Sequence, residues 1–164
     1  MKSIAEFVRD GISNLSELQD ALQTAVRLEF STIPPYLCAE WSITDGEDPD
    51  DVGGTLKDIV RQEMYHFAIA GNILSAIGRV SKIADSDFLL KYPTNYLPGG
   101  ICQPEPVDLK PISPAQIHVF MQIEYPEFTP VADKGADTPA TMPRAYLADP
   151  LMGRQSSTKL CRHS

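Results

Sequence analysis

Glu63 and His66 interrupt what is otherwise the apolar stripe of a long helix, IVRQEMYHFAIAGNILSAIG, residues 59–78. Three positions apart, their side chains stand on one helix face, one turn from each other. Upstream, Glu29 occupies the middle of another apolar stripe, so a second helix brings a carboxylate to its own mid-length. An ionised carboxylate on a buried stripe is costly unless it is paired or bound to a metal. Glu-x-x-His on one helix with Glu on its neighbour is the half-site pattern of carboxylate-bridged di-iron bundles. The chemistry calls for these types: glutamate oxygens are hard donors that bridge two irons, and imidazole closes each iron on one side. Open positions on the metal then take O₂ or a substrate. The spacing also admits a metal-free reading, in which Glu63 and His66 form a buried hydrogen-bonded pair with Arg27 or Arg61 turned inward. Glu29 on the facing helix favours the metal. Glu40 is a second-tier ligand candidate, nearly three turns beyond Glu29, although the prolines between them disturb the phase. No catalytic residue is assigned. His118 reads as a partly exposed helix residue, Glu124 as a local cap or partner, and His163 carries no role.

The elements that must position these groups follow from the hydrophobic period. Asn14 and Glu17 have capping-box spacing, and Leu15, Leu18, Leu22, Ala25 and Val26 then recur at helical intervals toward Ile33. Pro34 and Pro35 belong in a first turn rather than a helix interior, which predicts a kink or restart there, with Ser31 or Thr32 as N-cap. The acidic run DGEDPDDVGG reads as a loop. The second helix is expected from about Thr55 to Ile77, with Gly78 as C-cap, forming an antiparallel hairpin with the first. Residues 79–112 are rich in proline and glycine and read as an extended surface excursion. Ser113 and Pro114 open a short helix with Ile117, Phe120, Met121 and Glu124 on one face. After Pro126 the period disappears. The expected organisation is a helical domain over 1–127 and an irregular, disordered or unrelated tail over 128–164.

A hydrophobic content of 43% with 22% charged residues suits a globular domain. The net charge of −8 argues against a nucleic-acid partner, whose phosphates would repel it. No apolar run approaches the roughly 20 residues of a membrane span, and the N-terminus shows no secretory signal. Cys38, Cys102 and Cys161 form neither a disulfide framework nor a CxxC knuckle and are expected to be separate thiols, which suits a cytoplasmic location.

LEFSTIPPYLCAEWSI, IVRQEMYHFAIAGNILSAIGRV, YPTNYLPGG and FMQIEYPEF occur in this order. Over residues 14–127 the chain resembles the ferritin-like domain of iminophenyl-pyruvate dimer synthases, a family of bisindole and indolocarbazole biosynthesis. The resemblance implies an all-α, ferritin-like helical bundle, here its first helix pair with a Pro/Gly-rich C-terminal part. It implies iron-dependent oxidative coupling of amino-acid-derived imines, with Glu29, Glu63 and His66 at the positions that hold metal. A whole ferritin-like bundle supplies a second Glu and a second Glu-x-x-His. Beyond Glu127 the sequence has no glutamate and only His163. The domain is therefore expected to be truncated, with a di-iron site completed only if a homodimer shares it between chains and a small aromatic or amino-acid-derived substrate. The alternatives are a catalytically inactive helical interaction module and an iron-binding protein without turnover.

Overall fold

The computed structural model describes residues 2–44, 46, 48 and 50–124. The chain order is α1 (Ile4–Asp10), α2 (Leu15–Glu40), α3 (Val52–Ala76), β1 (Thr94–Leu97), β2 (Ile101–Val107) and α4 (Pro114–Glu124). Residues Met1–Ile123 form one compact unit. The expected boundary at 127 and the tail 128–164 lie outside the described residues.

α2 and α3 form the expected antiparallel hairpin. At one end Gln19 Nε2 donates to the Ile77 carbonyl over 3.0 Å, and Arg79 pairs with Asp20. At the other, Tyr36 and Ala39 pack on Leu56 and Val60. Between them along the hairpin lies a second apolar cluster, Val26 with Ala70 and Phe88. No helix among the described residues is long and apolar enough to cross a membrane.

The expected break at Pro34 and Pro35 does not occur, and α2 runs unbroken for 26 residues. The prolines remove the N–H groups that would bond the carbonyls of Phe30 and Ser31. The Tyr92 hydroxyl donates to the Ser31 carbonyl in place of the missing backbone donor. The ring of Pro35 and the whole of Tyr36 are buried, so packing holds the turn. Ser31 and Thr32 cap nothing. The Ser31 hydroxyl bonds back to the Leu28 carbonyl at 2.7 Å, and the Thr32 hydroxyl lies 2.8 Å from the Glu29 carbonyl.

Burial pushes the Tyr92 hydroxyl up to about 12, and the neighbouring Cys38 thiol adds to the shift. An unfolded tyrosine titrates near about 10. Because the folded value is the higher, the stabilisation is complete below about pH 10 and is lost as pH rises toward about 12. Tyr92→Phe leaves the Ser31 carbonyl without this donor and is expected to cost about 1–3 kcal/mol near neutral pH. The same change should flatten the alkaline decline, as read by urea unfolding at about pH 8 and about pH 11.

α3 starts at Val52, three residues before the expected Thr55, because the Asp48 carboxylate accepts from the N–H groups of Val52 and Gly53, both at 2.7 Å. It ends at Ala76 with Ile77 as C-cap, one residue before the expected end, and Gly78, at φ +84°, turns the chain so that Arg79 N–H reaches the Leu74 carbonyl over 3.1 Å. α1, which the helical period did not announce, is held by a capping box between Ser3 and Glu6.

Residues 79–112 are more than a surface excursion. β1 and β2 pair antiparallel through a turn containing Gly99 and Gly100, and Leu97 and Val107 pack with Val119 of α4. Gly99 is required there: at φ +87°, a Cβ would stand 2.6 Å from the Ile4 side chain of α1. α4 starts where expected, with the Ser113 hydroxyl accepting from Gln116 N–H over 3.1 Å. Its buried face is Gln116, Val119 and Phe120, while Ile117 and Met121 face outward, a correction to the predicted stripe. The Phe120 ring packs on Tyr36 with centroids 4.5 Å apart, which sets the rotation of the helix. Cys38 is a free thiol.

Candidate metal centre

The polar residues of the hairpin gather at mid-length, between its two apolar clusters. Along α2 the order is Val26, then Glu29 and Thr32, then Tyr36 and Ala39. Along α3, in the opposite sense, it is Leu56 and Val60, then Glu63 and His66, then Ala70. Helical spacing places Glu29, Thr32 and Tyr36 on one face of α2 and brings Glu63 opposite them.

Glu29, Glu63 and His66 each place one ligand atom within 4.8 Å of the others. Nδ1 of His66 lies 3.4 Å from Oε2 of Glu29, and the side chains are 54% and 24% exposed respectively. Two ligands of one small divalent cation, at about 2.1 Å each, stand no more than about 4.2 Å apart. The three donors therefore lie within a small side-chain adjustment of a shared ion. Two carboxylates and one imidazole suit a first-row transition metal. A cation placed between them would be shared by the Glu29 carboxylate and the His66 ring nitrogen.

His66 is more open than the sequence implied. It lies at the outer edge of the α3 stripe beside the exposed Ile69 and Ile73, because a hairpin covers only one side of α3. Glu63 is half-buried. The arginines of the metal-free reading do not turn inward. Arg27 donates to the carbonyls of Phe88 and Asp87, and Arg61 pairs with Asp58. Glu40 stands apart from the three donors, with Lys57 Nζ 4.0 Å from its carboxylate. His118 is partly exposed, as expected, with Gln122 and Glu105 beside it.

Thr32 escaped the sequence reading. Its hydroxyl lies 2.8 Å from Oε2 of Glu63 and links the two helices at the level of the donors. Its position three residues after Glu29, on the same helix face, is the signal that marks it.

The family described as Ferritin-like matches residues 22–152, past residue 127, where the resemblance read from the motifs ends. Dichlorochromopyrrolate synthase of Lentzea aerocolonigenes is 26% identical over 160 residues, covering 82% of this chain. The chain spans 15% of the length of that relative. No solved structure matches it. A hairpin with carboxylates and an imidazole at mid-length is what such a bundle provides, and with the match across most of its length the chain belongs to the ferritin-like family.

Proposed function

We propose that this chain is a metal-dependent oxidative-coupling protein related to iminophenyl-pyruvate dimer synthases, acting on amino-acid-derived imines. The observation that carries the reading is the convergence of Glu29, Glu63 and His66 from two helices. The likeness to a synthase named for dichlorochromopyrrolate supports the reaction class. The three residues constitute one half of a di-iron site, and a second copy of the chain supplies the other half. Iron, when bound, supplies the activation of O₂. Joining two imine-derived molecules by a carbon–carbon bond removes two electrons and two protons, which O₂ accepts. Within the chain, Glu29 and Glu63 offer the oxygens, Thr32 holds Glu63, and the exposed edge at His66 leaves room for the second copy and for substrate. A second reading, a helical interaction module without turnover, draws on the exposed Tyr65, Ile69 and Ile73 beside His66.

Anaerobic Fe(II) loading followed by desalting and light scattering separates the two readings. About one iron per chain on a dimer is expected, and a coupled product should appear by mass spectrometry once an amino-acid-derived imine and air are added. A monomer in the presence of iron overturns the shared site. A dimer that retains no iron leaves the interaction module.

A further inference from the structure

We infer that Thr32 is a positioning residue for the metal centre, holding the Glu63 carboxylate in its ligating orientation. The inference rests on the metal reading above and adds to it a residue that is not itself a ligand. Thr32 is 5% exposed, and its hydroxyl has one proton with two acceptors in reach: Oε2 of Glu63 and the carbonyl of Glu29, both at 2.8 Å. The Glu29 carbonyl has the Ile33 N–H available to it as part of an ordinary helical turn. The carboxylate carries charge and forms the stronger bond, so the proton goes to Glu63.

The hydroxyl is itself well placed to fix a ligand. It belongs to a turn of α2 whose next facing residue, Tyr36, is fully buried, and whose Ser31 carbonyl is held by Tyr92. Glutamate has several freely turning bonds, and on a half-buried site a carboxylate without such a partner would sample many orientations. A hydrogen bond to one oxygen stops rotation about the last of those bonds. Outer partners of this kind typically change metal affinity by about 10–100-fold. A merely structural threonine, joining two helices, would instead affect folding and leave the affinity of the folded chain unchanged.

The test is anaerobic Fe(II) titration of the full chain carrying Thr32→Val or Thr32→Ser, beside thermal unfolding of the same proteins without iron. Valine keeps the shape and removes the hydroxyl. It is expected to weaken Fe(II) binding about 10–100-fold while the iron-free protein still unfolds cooperatively, and serine is expected to restore binding close to wild type. Unchanged affinity in the valine variant overturns the inference and leaves the metal reading standing. Serine as weak as valine also overturns it, because the hydroxyl is then not the cause. Should the valine variant not fold, Thr32→Ala compared with Thr32→Ser decides the matter on the same criterion. Wild-type chain that binds no Fe(II) removes the metal reading and this inference together.

Discussion

Glu63→Ala is expected to abolish iron retention while leaving the hairpin folded. Glu63 is half-buried opposite Glu29 and Thr32, and alanine removes both of its oxygens from the group of three donors. Glu29 and His66 alone give two ligands, too few to hold an exchangeable ion through desalting. The fold should survive because the apolar clusters on either side do not include Glu63. Iron-free, the variant should be no less stable than wild type, since a partly buried carboxylate disappears and leaves only the Thr32 hydroxyl to find a new acceptor. The difference appears on adding metal. An ion present at a hundred times its dissociation constant stabilises the folded state by about 2.7 kcal/mol. For a chain of this size that is a rise of roughly 5–10 °C in unfolding midpoint. Wild type should show this rise with Fe(II) under anaerobic conditions, and Glu63→Ala should show none. An equal rise in both proteins would mean that iron binds elsewhere.

The largest loss of stability is expected from Tyr36→Ala, about 3–5 kcal/mol by analogy with other buried aromatic truncations. Tyr36 is fully buried among Ala39, Leu56, Val60 and Phe120, and so ties α2 to α3 and to α4 at once. Its ring packs tilted against Phe120, a contact worth about 0.5–1.5 kcal/mol beyond the area it covers. Domains are stable by only about 5–15 kcal/mol in total, so the variant should lose a large part of its margin. Urea unfolding followed by far-UV circular dichroism measures this through the transition midpoint. A loss below about 1 kcal/mol, the size of an ordinary surface change, would mean that Tyr36 does not join these helices. Tyr36→Phe, which keeps the ring, should lose less than Tyr36→Ala.

The helix pair was legible because α2 and α3 are long and periodic, and a long apolar stripe exposes any polar residue set into it. Glu29, Glu63 and His66 stood out for that reason, and the structure brings all three together. What local reading misjudged was decided by distant partners. The rule against interior proline is sound for an isolated helix, but the donor that replaces the missing one at Ser31 comes from Tyr92, 61 residues away. α1 is too short for a period to show, although Ser3 and Glu6 already carried its capping signature. The early start of α3 depends on Asp48, in a run that reads only as a loop, accepting from the N–H groups of Val52 and Gly53. The outward rotation of Ile117 and Met121 follows from where Phe120 meets Tyr36, a contact that no period within α4 predicts.

The polar group at the middle of the hairpin is bracketed by apolar packing above and below, and this makes the hairpin a preset caliper. Sliding α3 by one turn, about 5.4 Å, would carry Glu63 past Glu29, but it would also strip Leu56 and Val60 from Tyr36 and Ala70 from Val26. The jaws are thus set by hydrocarbon before any ion arrives. A cation entering must accept the gap it finds, and exchange of one cation for another of different radius should be absorbed at the exposed imidazole of His66 while the spacing of the two helices stays the same.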